Sequence, residues 1–185
     1  MSWAEAFKYV EHLNRSSHCR IDNWRLPSRR ELFSLISHQW INPALPEGHP
    51  FIDVFSGYYW TACPCRRLDD QAWYIHLGGG RIYRGMKANS YMVWPVAGSQ
   101  PDEQIPPNRF VDNRERTAWD RLTNRVWLKP AGAVQRPVNW EKALSAIDAL
   151  NAQNAGGHTD WRLPNIRELE SLVDLNRHSP ALPAG

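Results

Sequence analysis

Trp24-Arg25-Leu26-Pro27 recurs as Trp161-Arg162-Leu163-Pro164, and a Glu-Leu pair follows at the same distance in each case, Glu31-Leu32 and Glu168-Leu169. The offset of 137 residues holds without a gap beyond the phrase: Trp3 maps to Trp140, Leu13 to Leu150, Asn14 to Asn151, and Pro43-Ala44-Leu45-Pro46 to Pro180-Ala181-Leu182-Pro183. An internal repeat this strict constrains the fold more than any other feature, because both copies must adopt one local structure. The copies are unequal in what surrounds the phrase. The first begins at its helix and the second stops soon after the phrase, so the reading expects two cut copies and a Met1 that belongs to a piece of a longer chain. The expected organisation is the later part of a first repeat over 1–98, helices then sheet, a linker over 99–109, and the earlier part of a second repeat over 110–185, short strands then helices.

Local signals place the elements. Ser2 with Glu5 three residues on is a capping box, in which the Ser and Glu side chains satisfy free N–H groups at a helix start. Apolar Ala6, Tyr9, Val10 and Leu13 follow at helical spacing, as do Ala143, Leu144, Ile147 and Leu150 after Asn139. Pro27 and Pro164 keep the preceding Leu out of the helical region, which makes Ser28 and Asn165 N-caps with Glu31 and Glu168 as their box partners. Helices are therefore expected near 2–15, 28–37, 139–152 and 165–174. Residues 37–57, rich in Pro and Gly, read as a long loop. Aromatic and β-branched runs at 58–62, 72–77, 81–84 and 91–96 read as strands, with Gly78-Gly79-Gly80 as a hairpin turn, and shorter runs at 110–112, 117–120 and 125–128 read as strands opening the second copy.

The phrase needs no catalytic role. Glu31 and Glu168 favour the positive helix end, and Arg25 and Arg162 are placed to pair with them or with a carbonyl. Trp24 and Trp161 read as buried.

Bulk properties exclude some classes. A chain of 185 residues suits one large domain or two small ones. A net charge of +3 is too weak to argue for nucleic acid, and no apolar run approaches the ~20 residues of a membrane span. Met1 leads into an amphipathic helix rather than a signal peptide. Cys19, Cys63 and Cys65 lack paired zinc spacing, which leaves one disulfide from Cys19 to Cys63 or Cys65, or three free thiols. Seven histidines show no metal-binding spacing, and neither a nucleophile elbow nor a phosphate loop is present. Gln100-Pro101-Asp102 matches a tripeptide of some calcium lectins, but it lies in the linker without the acidic partners calcium needs.

Asp160-Trp161-Arg162-Leu163-Pro164 with Glu168-Leu169, the Tyr59-Trp60-Thr61 and Ala72-Trp73-Tyr74 strands, the Thr123-Asn124-Arg125-Val126-Trp127 turn and the Val93-Trp94-Pro95-Val96 terminal strand together resemble the Lcl C-terminal domain family. Arg25-Leu26-Pro27 with Glu31 is similar also to a segment of formylglycine-generating enzymes. The resemblance implies an α+β, C-type-lectin-like fold: two helices packed on a small, twisted, mostly antiparallel sheet, present as two incomplete tandem copies. Trp94 stands where the family usually has Arg. In such a fold the first and last strands lie side by side. The first copy lacks its opening strands, so residues 116–128 are expected to fill that place, within the chain or from a second molecule, and a homo-oligomer through strand completion follows from the latter.

The sequence reading places ligand contacts in the strand region. Arg66, Arg67, Arg81, Arg84 and Lys87 fall in its loops and hairpin, and Trp73 and Tyr83 are its candidate stacking residues. Clustered on one face, these cations would suit a sulfated polysaccharide or another polyanion through charge-assisted bonds, although Asp69-Asp70 dilutes the patch. The function expected is a non-catalytic binding or adhesion module of a secreted, periplasmic or surface bacterial protein. It would recognise a glycan, polyanion or protein, with no cofactor, metal, nucleic acid or membrane insertion. The alternatives are a self-assembly module without a ligand and a Cys-dependent enzyme built on Cys63 and Cys65.

Overall fold

In the computed structural model the Ser2 hydroxyl accepts the Glu5 N–H while Glu5 Oε2 accepts the Ser2 N–H at 2.8 Å. The same box forms at Ser28 with Glu31 and at Asn165 with Glu168. Among the described residues these caps start three of the four α-helices, and Asn139 caps the other by accepting the Lys142 N–H. The structure describes residues 1–100, 106, 108–130, 136–177 and 179–183. It divides into two compact units, Met1–Asp102 and Glu103–Gly185. The first carries α1 (Trp3–Arg15), β1 (Trp24–Arg25), α2 (Arg29–Ser34), β2 (Tyr58–Pro64), β3 (Gln71–His76), β4 (Arg81–Met86) and β5 (Val96–Ala97). The second carries β6 (Phe110–Asp112), β7 (Thr117–Asp120), β8 (Arg125–Leu128), α3 (Trp140–Ala152) and α4 (Ile166–Ser171). The class is α+β, and the sheets are small and antiparallel.

The repeat is a repeat of detail. After α1 the chain turns through left-handed Ser17 (φ 45°) and Cys19 (φ 55°), and after α3 through Asn154 (φ 50°) and Gly156 (φ 60°). The Asn14 amide brackets Trp24, donating to its carbonyl at 2.9 Å and accepting its N–H at 2.6 Å. Asn151 does the same to Trp161, at 2.9 and 2.7 Å. The Trp24 indole donates to His18 O and the Trp161 indole to Ala155 O. Both rings are half-buried rather than fully enclosed, which corrects the sequence expectation: the indole N–H is spent on a turn carbonyl near the surface.

In the first unit β2, β3 and β4 form one sheet, with Tyr59 opposite Ile75 and Trp60 opposite Tyr74. Side chains alternate across a strand, so the two pairs face opposite ways. Tyr59, Ile75 and Leu77 pack on Leu32, Phe33 and Ile36 of α2 and the segment after it, while Trp60 and Ala72 pack on Ala6 and Val10 of α1 with Leu26. The hairpin turn holds Gly80 at φ 67°, where a Cβ would lie 2.4 Å from Ile36 Cγ2. Only glycine allows this approach.

Two elements differ from expectation. Residues 91–96 make one parallel bridge, Tyr59 with Met92, and join a ladder only at Val96. Pro95 supplies no N–H to extend it. The partner of β5 is β1, Trp24–Arg25, at the head of the repeated phrase, where no strand is expected. The strands of the second unit lie where expected and, among the described residues, form one sheet in the order β6-β7-β8.

Candidate ligand-binding face

The Arg and Glu of each phrase form a lock. Arg25 grips Glu31 through both Nη atoms, at 2.7 and 2.6 Å, and Arg162 grips Glu168 in the same way. Glu31 is held below the usual carboxylate range by the Arg25 guanidinium and the Ser28 N–H, against the opposing effect of burial. Glu168 is held lower still, first by Arg162, then by the Asn165 N–H and by Arg125, whose Nε donates at 2.7 Å. A second pair closes the opening strands onto α4. Buried Arg109 clasps Asp120 at 2.7 and 2.6 Å and donates its remaining Nη to Ser171 O at 2.8 Å. Burial alone would raise the Asp120 carboxyl, but Arg109 and Thr123 outweigh it and the net direction is downward. Every group in these locks has a structural partner, and they offer no reactive group.

The face that packs Trp60 and Ala72 on α1 continues past that core, with Tyr74 and Tyr91 partly buried against it, into a more open surface. Tyr58, Tyr74 and Tyr91 meet with ring centroids 5.0–5.1 Å apart. His76 lies against Tyr58 and Tyr83 against Tyr74. The register explains the group: Tyr58 pairs with His76, Tyr74 with Tyr83, and His76 with Arg81, so all five side chains leave the same face. Tyr91 joins from the following loop, its hydroxyl accepting from Asn89 Nδ2 at 3.1 Å. That hydroxyl would lie 2.5 Å from a Cβ at Gly85, so the glycine makes room for the ring. Burial pushes the Tyr74 phenol up, helped by Tyr91, Tyr58 and Tyr83, while Arg81 acts the other way. Tyr83 is 56% exposed and Tyr58 43%. The result is a shallow aromatic shelf with one exposed guanidinium, Arg81, at its edge.

The residues singled out from sequence separate on this frame. Arg81 and Tyr83 lie on the shelf. Arg84 is one residue out of phase and leaves from the opposite face, although its guanidinium comes within 5.2 Å of the Tyr83 ring. Trp73, opposite Arg84, shares the α2-facing side of the sheet with Ile75, and its Nε1 is buried without a hydrogen-bond partner. Arg66 and Arg67 are exposed in the β2–β3 loop, at the end of the hairpin away from Arg81. Lys87 is engaged: its Nζ donates to Asp69 O at 2.6 Å and sits 4.7 Å over the Trp3 ring. The five cations therefore do not share one face. Tyr58, Tyr74 and Tyr91, which carry most of the shelf, stand in the sequence among many aromatics. Their common face becomes readable only once the strand register is known.

Cys19 and Cys65 are free thiols. Cys63 Sγ accepts the Arg29 N–H at 3.4 Å, Cys65 is buried and Cys19 is exposed. Among the described residues no group of three or more His, Cys, Asp or Glu is arranged to hold a metal ion, and no helix is long and apolar enough to cross a membrane.

Fold and locks together define a tandem α+β module organised around a repeated Trp-Arg-Leu-Pro…Glu lock. The chain belongs to the Lcl C-terminal domain family, whose model matches residues 1–97 and again residues 111–185. No curated protein and no solved structure matches it.

Proposed function

We propose that this chain is a non-catalytic binding module of a secreted or surface protein, and that the shelf of Tyr58, Tyr74, Tyr83 and Tyr91 with Arg81 receives a glycan. The observation that carries the reading is the exposure of Tyr83 and Tyr58 on one face beside a cation. A protein that needed these rings only for its core would bury them. Exposed aromatics that share a face offer the flat apolar surface on which a sugar ring stacks. Arg81 adds a fork of donors suited to a carboxylate or sulfate, which favours an anionic glycan over a neutral one. The lectin-like reading of the fold supports the same conclusion by analogy with the family, and fold alone does not establish it. Self-assembly is the rival, and the bare helical face of the second unit described below favours it. The Cys-dependent alternative has less support, because Cys65 is buried and Cys63 Sγ accepts the Arg29 N–H.

A glycan array probed with the wild-type chain and with Tyr83→Ala tests the proposal. Binding to uronate- or sulfate-bearing glycans that is lost in the variant, with the melting midpoint unchanged, is the expected result. Binding retained by Tyr83→Ala, or no binding to any glycan at low salt, overturns it.

A further inference from the structure

The two units carry equivalent helices with opposite fates. In the first, Ala6, Val10, Leu26, Leu32 and Leu45 are buried. In the second, their counterparts at the offset of 137 are Ala143, Ile147, Leu163, Leu169 and Leu182, and none of them is buried. Trp140, the counterpart of Trp3, is 70% exposed, and Ile166 is exposed too. α3 has the apolar stripe of α1 and buries no residue.

The first unit shows what covers such a face. Its β2–β4 sheet and the segment up to Ser99 lie on it, and they answer specific groups of the repeat. Trp3 Nε1 donates to Thr61 O at 2.8 Å and the Trp3 N–H to Lys87 O at 2.9 Å. Pro27 O accepts the Ala62 N–H at 2.8 Å, and the Ala44 N–H reaches Leu77 O. Arg25, beyond Glu31, donates to Gly98 O and Ser99 O at 2.9 Å each. Trp140, Pro164, Ala181 and Arg162 carry the same groups at the corresponding positions of the second unit. Arg162 is 60% exposed where Arg25 is 19%.

We infer that the α3–α4 face of the second unit is a docking surface for one partner, a closing sheet of this same module with the pattern of residues 49–99. The apolar match and the repeated donors and acceptors select that partner over a generic hydrophobic surface. A lipid layer, for example, offers no carbonyl to Trp140 Nε1 and no pair of carbonyls to Arg162.

The test appends a second copy of residues 49–99 after Gly185, which keeps the repeat in register because Gly185 is the counterpart of Gly48. Hydrogen exchange of α3 is compared in the native and the extended chains. The inference expects α3 amides to slow by at least about tenfold on extension, toward the protection of α1. Trp60→Asp placed only in the appended copy should abolish that gain and leave the first unit unchanged. A cysteine introduced as Ala143→Cys, in a Cys19→Ser background, gives a second readout, and its thiol labelling should slow by a similar factor. Unchanged α3 exchange and unchanged labelling in the extended chain overturn the inference. So does a native chain that sediments as a dimer with α3 already as protected as α1, which would assign the face to a second intact copy.

Discussion

Glu168 concentrates the chemistry of the repeat in one carboxylate. It is the box partner of Asn165, the bidentate partner of Arg162 and the acceptor of Arg125, and its side chain is 6% exposed. Glu31 repeats the first two roles with Arg25 and Ser28. Both carboxyls titrate below their ordinary value in the folded chain. A group whose folded pKa is depressed stabilises the fold above its unfolded value, and that contribution is lost as the pH falls. The urea midpoint should therefore hold from pH 7 to about 5 and drop below the ordinary carboxyl range near 4.5. Glu168→Gln should start lower at pH 7 and fall less steeply toward acid. A wild-type midpoint flat down to pH 3 would contradict the lock. The Arg109–Asp120 pair makes a sharper case because both side chains are fully buried. Asp120→Ala strands a buried guanidinium, so a loss of about 3–5 kcal/mol is expected in chemical denaturation of the second unit. A loss under about 1 kcal/mol would mean that the guanidinium finds water. Nothing in the sequence singled this pair out, since it needs the register of β6 against β7, which brings Phe110 opposite Asp120.

At the scale of elements, the helices were legible because their signals are local. Each cap residue and its box partner stand three apart, and the observed helices start where those pairs place them. The opening strands were legible for the same reason, as short alternating runs between turn residues. The pairing of β1 with β5 was not legible, because Trp24–Arg25 meets Val96–Ala97 across more than seventy residues of chain. The hairpin gives an element-scale prediction. Gly80 sits in the left-handed region against Ile36, so Gly80→Val should destabilise the first unit by about 2–4 kcal/mol, combining backbone strain with overpacking. Gly79→Ala should cost under about 1 kcal/mol, since a Cβ at Gly79 meets nothing within 4 Å. Equal thermal shifts for the two variants would show that the turn is not held against Ile36.

Across the whole chain, one module appears twice with different parts present. The first unit has a closing sheet and the second has opening strands, while the Trp-Arg-Leu-Pro…Glu lock is common to both. The gapless offset made this organisation readable from the residues alone. The binding face was legible only in part: Arg81 and Tyr83 share a face as any two residues two apart on a strand do, whereas the basic cluster was drawn from proximity in sequence, which strand alternation and a loop at the far end of the hairpin disperse. Salt tells the polar contribution from the aromatic one. If Arg81 supplies charge and the tyrosines supply stacking, affinity for a sulfated polysaccharide should weaken between about 0.05 and 0.5 M salt yet keep a salt-resistant remainder, because screening acts on exposed charges and leaves stacking nearly untouched. The measurement that tests the central claim most directly is residue-resolved NMR during titration of the chain with such a polysaccharide. The account predicts that aromatic and guanidinium signals of Tyr58, Tyr74, Tyr83, Tyr91 and Arg81 shift together, with those of Arg66 and Arg67 unmoved. Shifts confined to Arg66 and Arg67, or spread evenly over all exposed cations, would contradict it.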